Sequence, residues 1–585
     1  LGIPGKAKRD RPEEAALGQG KVLLPSLASG LMLWCAFPPV GLSLLAWVAP
    51  LGWLSLVDRS APLRRLDYVL VWLSGSLFWL LILQGVRLAF WPLYFGWLAL
   101  AFYLAVYTPL FVGVARVLVH RWRVPIVLAA PVAWVGMEHI RSYLLTGFAA
   151  NTLAHSQVGN PVVIQLADQT GGGGVSFIMM LVAVCLGRLV QSWRGEKIQL
   201  ALPWMGIAAA SLIGLLGYGQ WRLSQADRIY ASSEPLLRVL LVQENTPTIF
   251  EINPERNKDS WARYVNLTRQ AIVENGPVDL VVWPESTFTA NEPWMEIDTE
   301  EGMSQDLIQD GITEERLLEV VANYQEAFQS KIALVQAAAL GLTPWEPQPV
   351  DTSPPHLLLG SDAIAYTNRG MERYNAALFV DPEGKLAGRY GKMHLVMFGE
   401  YIPLGWVLQW LRDMFGLHGI NAGDRPHSFP IQSSWVAPNI CFESMVPHLI
   451  ARHVRQLAAL DQGPDVLINI SNDSWFRGSA LLDHHLACSI LCAVENRRPM
   501  LVAANTGISA HISGSGRVIQ RTDRLKAQAL VAEPRADNRS GLYQDWGAAL
   551  GWACAWACGA ALLTALFNVI SASYGRKLEK KPQFG

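Results

Sequence analysis

Asn439-Ile440-Cys441-Phe442-Glu443-Ser444 places a thiol at the end of an apolar run, Trp435–Cys441, that reads as a buried β-strand. A residue at the C-terminal end of a strand is held by the sheet while its side chain faces a cleft, which is where an α/β enzyme displays a nucleophile. Two further segments repeat the arrangement with different chemistry. Val281-Val282-Trp283-Pro284-Glu285-Ser286 follows a strand with a carboxylate, and Tyr390-Gly391-Lys392-Met393-His394-Leu395 follows one with an ammonium. Glu285, Lys392 and Cys441 together supply a base, a cation and a thiol. Each alone reads as ordinary: a small core cysteine, a solvated lysine, a surface acid. The three in this order, each after a strand, make a Glu-Lys-Cys catalytic set the stronger reading.

The surrounding sequence, residues 235–545, has an α/β pattern. Leu236–Val242, Asp279–Trp283, Lys331–Gln336, Ala376–Val380, Trp435–Cys441, Val466–Ser471 and Met500–Ala504 read as short buried strands, and Trp261–Glu274 and Ser479–Glu495 as helices. Asp381-Pro382-Glu383-Gly384 is a hairpin signal. The acidic stretch Asn291–Glu315 and the proline-dense Thr343–Pro355 fit no compact core and read as surface insertions.

Outside this domain the chain changes solvent. Of its 585 residues 51% are hydrophobic and only 16% charged, against about 25% charged in a soluble protein. Apolar stretches near the ~20 residues that cross a bilayer run Val22–Phe37, Leu42–Val57, Tyr68–Leu83, Tyr94–Val119, Ile126–Met137, Val175–Val190, Leu202–Trp221 and Trp546–Ile570. The organisation expected is a cytoplasmic segment (1–21), a membrane domain of about seven helices (22–230), the catalytic domain (235–545), a final span (546–570) and a basic cytoplasmic tail (571–585). Basic residues support it. Lys6, Lys8, Arg9 and Arg11, then Arg59, Arg64 and Arg65, then Arg121 and Arg123, then Arg188, Arg194 and Lys197, and finally Arg576, Lys577, Lys580 and Lys581 occupy every second connection. Since such residues collect on the cytoplasmic side, the α/β domain falls on the outer face. The first span is not an obvious cleaved signal peptide, because further spans follow at once.

A net charge of −1 argues neither for nor against nucleic acid, but no basic cluster interleaved with aromatics is present, so no nucleic-acid partner is expected. Seven cysteines form no disulfide framework: Cys35, Cys185, Cys554 and Cys558 lie in apolar spans. Cys488 and Cys492, with His484 and His485, read as a helix face packed on a sheet. No metal site and no cofactor is expected. Glu138 and Arg141 end an apolar span and are expected to pair with one another. Gly171–Gly174 lacks the strand before it and the Lys-Ser/Thr after it that a phosphate loop needs, so it reads as a flexible lead into the sixth span.

Trp-Pro-Glu, Tyr-x-Lys and Ile-Cys-Phe-Glu in this order resemble the nitrilase superfamily of carbon–nitrogen hydrolases. Leu395-Val396-Met397-Phe398-Gly399-Glu400-Tyr401-Ile402-Pro403 after Lys392 narrows the resemblance to the apolipoprotein N-acyltransferases. Trp134-Val135-Gly136-Met137-Glu138-His139-Ile140-Arg141-Ser142 with Thr146-Gly147-Phe148, Ser471-Asn472-Asp473-Ser474-Trp475-Phe476, and Asn505-Thr506-Gly507 extend it over nearly the whole chain. The chain departs from the family's pattern at Met397, at Phe442, at Ala149-Ala150, and after Gln243, where Phe250 stands without a tryptophan.

The resemblance implies a polytopic α-helical membrane domain carrying an outer nitrilase-like α-β-β-α sandwich, in a monomer of the bacterial cytoplasmic (inner) membrane with its catalytic domain on the periplasmic side. It implies a membrane phospholipid as donor and the N-terminal amine of a diacylglyceryl apolipoprotein as acceptor. Cys441 would attack the ester, Glu285 take the thiol proton, and Lys392 steady the oxyanion with a backbone N–H near Phe442. Glu400 and Glu443 are implied as supporting residues, Glu400 at Lys392 and Glu443 at the nucleophile's rim. Phe250, Phe442 and Trp475 are candidates for the substrate cleft. Two other readings stay open: a membrane-tethered amidase or nitrilase with water as acceptor, and a catalytically idle lipid- or lipoprotein-binding protein.

Overall fold

The computed structural model describes residues 20–88, 90–194, 201–247, 254–298, 313–343, 346, 353–397, 399–401 and 419–579. In the N-terminal part every apolar run becomes helix, since a helix satisfies its own backbone where water is absent. Arg65–Ile82, Leu93–Arg121, Gly172–Trp193, Leu202–Ser232 and, near the C-terminus, Ala549–Phe567 are long and apolar enough to cross a membrane. Lys21–Ala36 and Ser43–Asp58 are shorter, the latter divided by Pro50 into a 3₁₀ turn and a helix. Ile126–Arg141 forms a further helix, and of the glycine run only Gly171 leads in, since Gly172–Gly174 already form the first turn of helix Gly172–Arg194. Helices approach closely where side chains are small. A Cβ added at Gly136 would lie 2.7 Å from the Cys554 carbonyl oxygen. Large apolar side chains such as Phe95, Ile213 and Trp556 point outward.

The expected pairing of Glu138 with Arg141 is not made. Glu138 accepts from Trp134 Nε1 and from the Leu153 backbone, while Arg141 donates to the Ala150 carbonyl and lies over the Trp79 ring. At three residues' separation on one helix each acts on the other's charge, but their hydrogen bonds go to Trp134 and to the adjoining chain.

Two sheets make up the α/β region. In chain order the strands are β1 (Val239–Gln243), β2 (Leu280–Trp283), β3 (Trp294–Asp298), β4 (His356–Thr367), β5 (Gly370–Val380), β6 (Leu386–Gly391), β7 (Phe429–Ile431), β8 (Ser434–Ile440), β9 (Val466–Ser471), β10 (Met500–Ala504), β11 (Ala510–Ile512), β12 (Val518–Arg521) and β13 (Gln528–Ala532). One sheet runs β13-β1-β2-β4-β5-β6 with β3 beside β4, and the other β12-β11-β10-β9-β8-β7. Alternation along each strand builds the layers. Val239, Leu241, Leu280 and Val282 face the second sheet's Val436, Ile440, Ile468 and Ile470. Leu240, Val242, Val281 and Trp283 face the other way, onto helices Pro254–Asn275 and Glu314–Ala339. The far face of the second sheet is covered by helices Pro447–Ala458 and Leu481–Asn496, whose core is continuous with that of the membrane helices. The result is α-β-β-α. Arg497, fully buried, and Arg222 both bind Asp168, at 2.7 and 2.5 Å, tying this domain to the helices below.

Two readings of the sequence change here. Lys331–Gln336 is not a strand but lies inside helix Glu314–Ala339. A short apolar run fits either state, and Phe328, Ile332, Val335 and Ala339 supply the helical spacing that packs on the sheet. Within Asn291–Glu315, Trp294–Asp298 is no insertion but a strand paired in parallel with Ala363–Thr367. The remainder of that stretch, 299–312, and most of Thr343–Pro355 lie outside the described residues.

Candidate active site

Glu285 follows β2 and Lys392 follows β6, both from the first sheet; Cys441 follows β8 of the second. Packing the sheets face to face brings the three strand ends to one edge. Lys392 is only 1% exposed and donates from Nζ to Glu285 Oε1 at 3.2 Å and to Glu400 Oε1 at 2.8 Å. Burial works against this ammonium, but the charges of Glu285 and Glu400 act the other way, and Lys392 titrates above the ordinary lysine range. Glu285 is fully engaged. Its Oε1 also accepts from Asn375 Nδ2 at 2.7 Å and its Oε2 from the Asn472 backbone N–H at 2.9 Å. Glu400 is fixed in turn by Asn375 Nδ2 and by the Val396 N–H.

Cys441 is half-buried and opens the 3₁₀ turn Cys441–Met445 with φ at 53°. A non-glycine residue in that region costs about 1–3 kcal/mol and needs surrounding structure to hold it. Burial and the Glu285 carboxylate push the thiol well above its ordinary range, against the opposing pull of Lys392. The resting site is therefore a neutral thiol beside a carboxylate and an ammonium. Such a trio can lose the thiol proton to the carboxylate when an electrophile arrives, and the ammonium is in place for the negative charge that follows.

Glu443 does not line the rim of this site. Fully buried, it accepts from the Met393 and His394 N–H groups at 2.7 and 3.0 Å through Oε1, and from Tyr390 Oη and the Ile440 N–H at 2.8 and 2.7 Å through Oε2. It fastens the lysine-bearing segment of one sheet to the cysteine-bearing strand of the other. Phe442 stacks on His394 with ring centroids 5.8 Å apart. Trp475 sits on the turn Asp473–Phe476, 40% exposed. Phe250 lies outside the described residues.

The sequence reading missed Asn375, Asn472, Asp473 and His485 as site residues. Asn375 carries no local signal, being one polar position within strand β5. Asn472 acts through its backbone, and only the register of β9 beside β8 delivers it to Glu285. His485 was set aside as part of a packed helix face; its ring touches the Cys441 carbonyl oxygen at 3.0 Å.

Residues 29–185 match the model of the apolipoprotein N-acyltransferase N-terminal domain, and residues 241–538 that of carbon-nitrogen hydrolase. An apolipoprotein N-acyltransferase of Rhodopirellula baltica is 33% identical over 545 residues, covering 88% of this chain and 92% of its own length. The chain belongs to the apolipoprotein N-acyltransferase family. A Geobacter metallireducens member is 28% identical over 93% of this chain and 94% of its own. Among solved structures, Saccharomyces cerevisiae Nit3, a member of branch 10 of the nitrilase superfamily, aligns with 52% of this chain and 90% of its own at a TM-score of 0.33 and 14% identity. Between the two matched stretches, which end at 185 and begin at 241, lies helix Leu202–Ser232, followed by β1.

Proposed function

We propose that this chain moves an acyl group from a membrane phospholipid, through a thioester on Cys441, to the N-terminal amine of the S-diacylglyceryl cysteine of an apolipoprotein. Membership of the family supports lipoprotein N-acylation. The observation that carries the finer reading is the hydrogen bond from Lys392 to Glu285 at the strand ends that also present Cys441. The thiol attacks the ester carbonyl as Glu285 takes its proton. Lys392 and the Phe442 N–H stabilise the tetrahedral oxyanion, and collapse expels the lyso-lipid alcohol, which regains the proton from Glu285. In the second half the amine attacks the thioester, Glu285 accepts its proton, and the departing thiolate recovers one. A thioester is reactive enough to acylate an amine, where an ester or amide on the enzyme would be a poorer donor.

The membrane helices suit these substrates. Withdrawing a chain of about 15 methylenes from a bilayer costs about 12 kcal/mol at ~0.8 kcal/mol per CH₂, and a cleft at the membrane surface avoids that cost. The alternation of basic connections places the α/β domain, 235–545, on the outer face between a seventh and an eighth span. A reporter fused after Arg65 or Arg123 should then be cytoplasmic and one at Pro349 outside.

The deciding experiment mixes purified protein with a phospholipid and a diacylated lipopeptide. Triacylated peptide is the expected product, with a hydroxylamine-sensitive acyl group on the enzyme and a burst of lyso-lipid before acceptor is added. Double-reciprocal plots should give the parallel lines of a ping-pong scheme. Release of free fatty acid with no acylated peptide would favour a hydrolase with water as acceptor. Lyso-lipid formed only when acceptor is present would remove the thioester.

A further inference from the structure

Beneath the Cys441 turn lie two buried ionisable side chains that the chemistry above does not use. His485, on helix Leu481–Asn496, is 5% exposed and Asp473, just after β9, 2%. Asp473 Oδ1 stands 3.0 Å from His485 Nδ1 and accepts from Ser471 Oγ at 2.7 Å. The other ring nitrogen, Nε2, is 3.0 Å from the Cys441 carbonyl oxygen and 2.9 Å from Ser444 Oγ. That same carbonyl accepts from Asn469 Nδ2 at 3.1 Å and from Ser444 Oγ at 3.3 Å.

A carboxylate against Nδ1 calls for an N–H there, while Nε2 faces the Cys441 carbonyl, which only accepts, and Ser444 Oγ, which can do either. Protonated on both nitrogens, the ring pairs with the Asp473 carboxylate and donates to the Cys441 carbonyl. Burial opposes both charges, yet Asp473 lifts His485 above the ordinary histidine range, and His485 and Ser471 hold Asp473 below the ordinary carboxylate range. Glu285, further off, acts on His485 in the same direction as Asp473.

The carbonyl gripped in this way belongs to the peptide that joins Cys441 to Phe442. In a trans peptide the C=O and N–H lie in one plane and point in opposite directions. Donors that fix the oxygen on the helix side therefore fix the Phe442 N–H on the other side. They also strengthen it as a donor, because hydrogen bonds in a chain polarise one another. Cys441 needs such a hold, since its φ of 53° would otherwise relax and rotate the peptide. We propose that Asp473 and His485 are positioning residues that lock the Cys441–Phe442 peptide, so that its N–H acts beside Lys392 as the second donor to the oxyanion. The proposal rests on the thioester reading of Cys441.

The test uses the full chain in detergent, with a phospholipid carrying ¹³C at its ester carbonyl and no acceptor. Wild-type protein must first form the thioester; failure there sinks the reading of Cys441 and not the role of His485. Asp473→Asn and His485→Gln should each slow the lyso-lipid burst on the order of 10–100-fold, less than the ~10²–10³ of losing an oxyanion donor outright. The KM for the phospholipid should stay within about twofold, the loss falling on the chemical step. In the acylated variants the isotope-edited infrared stretch of the thioester carbonyl should move to higher frequency, because a displaced N–H polarises it less. A purely structural role would lower the melting temperature and leave that frequency where it is. Either variant alone decides the matter if the other does not fold: a wild-type burst rate or an unmoved stretch in a folded variant overturns the proposal.

Discussion

Cys441 and the Cys488/Cys492 pair lie in the same domain, and Cys492 even donates from its thiol to the Ser444 carbonyl, three residues beyond Cys441. Burial raises the thiol pKa at all three, with Glu285 adding to it at Cys441 and Glu495 at the other two. The difference lies in what opposes it. Cys441 has Lys392 pulling the other way and a carboxylate, Glu285, that can accept its proton; among the described residues no cation pulls on Cys488 or Cys492. Burial by itself makes an inert thiol. Reactivity comes from a base and a cation placed beforehand, which here takes two sheets and a strained turn.

The contrast can be broken most directly by removing the sulfur. Cys441→Ala should abolish acyl transfer and the hydroxylamine-labile acyl group while leaving the protein folded in the membrane; residual turnover would move the nucleophile elsewhere. Next in size, Glu285→Gln and Lys392→Ala should each slow acyl-enzyme formation by about 10²–10⁴, as expected when a general base or an oxyanion stabiliser is lost. Lys392→Arg should not rescue, because a planar guanidinium cannot place its charge where a compact ammonium does; stopped-time thioester assays read all three. Glu443→Gln should cost about 2–3 kcal/mol of stability in thermal melts, since an amide turns a donor toward groups that are themselves donors. It should also loosen the Cys441 turn, whose strand Glu443 holds through the Ile440 N–H.

Smaller effects sharpen the electrostatic side of the comparison. Glu285 raises the Cys441 pKa and Lys392 lowers it. Iodoacetamide labelling at pH 8 should therefore speed up in Glu285→Gln and slow down in Lys392→Ala, by several-fold to about tenfold, one pKa unit being tenfold in thiolate. The opposite order would show that Lys392 does not sense the thiol. Smallest of all, Cys488→Ala and Cys492→Ala should keep the acylation rate within about twofold and lower stability by about 1–2 kcal/mol through small cavities. Mass mapping of the acyl group in these variants should still find Cys441.

The proposed trio of Glu285, Lys392 and Cys441 could be read from the chain because each member follows a run whose own composition makes it a strand, and a strand end displays what comes next. The apolar runs could be read as helices for a similar reason, since hydropathy and length are local properties. Glu138 and Arg141 could not be paired from spacing, because their partners, the Leu153 N–H and the Ala150 carbonyl, come from chain that folds back beside the helix. Lys331–Gln336 could not be told from a strand by its own six residues; its helical face shows only once Phe328 and Ala339 are seen packed on the same sheet.

What the sequence determined by itself is thus the order of base, cation and thiol, the membrane helices around them and, with its relatives, the family. The tertiary structure alone decided that Asn375 and the Asn472 N–H hold Glu285, that Glu443 fastens one sheet to the other, and that Asp473 and His485 stand under Cys441. Those contacts join residues whose separations are fixed by strand register and sheet packing, and a hydrogen bond made across such distances leaves no local mark on the residues that make it.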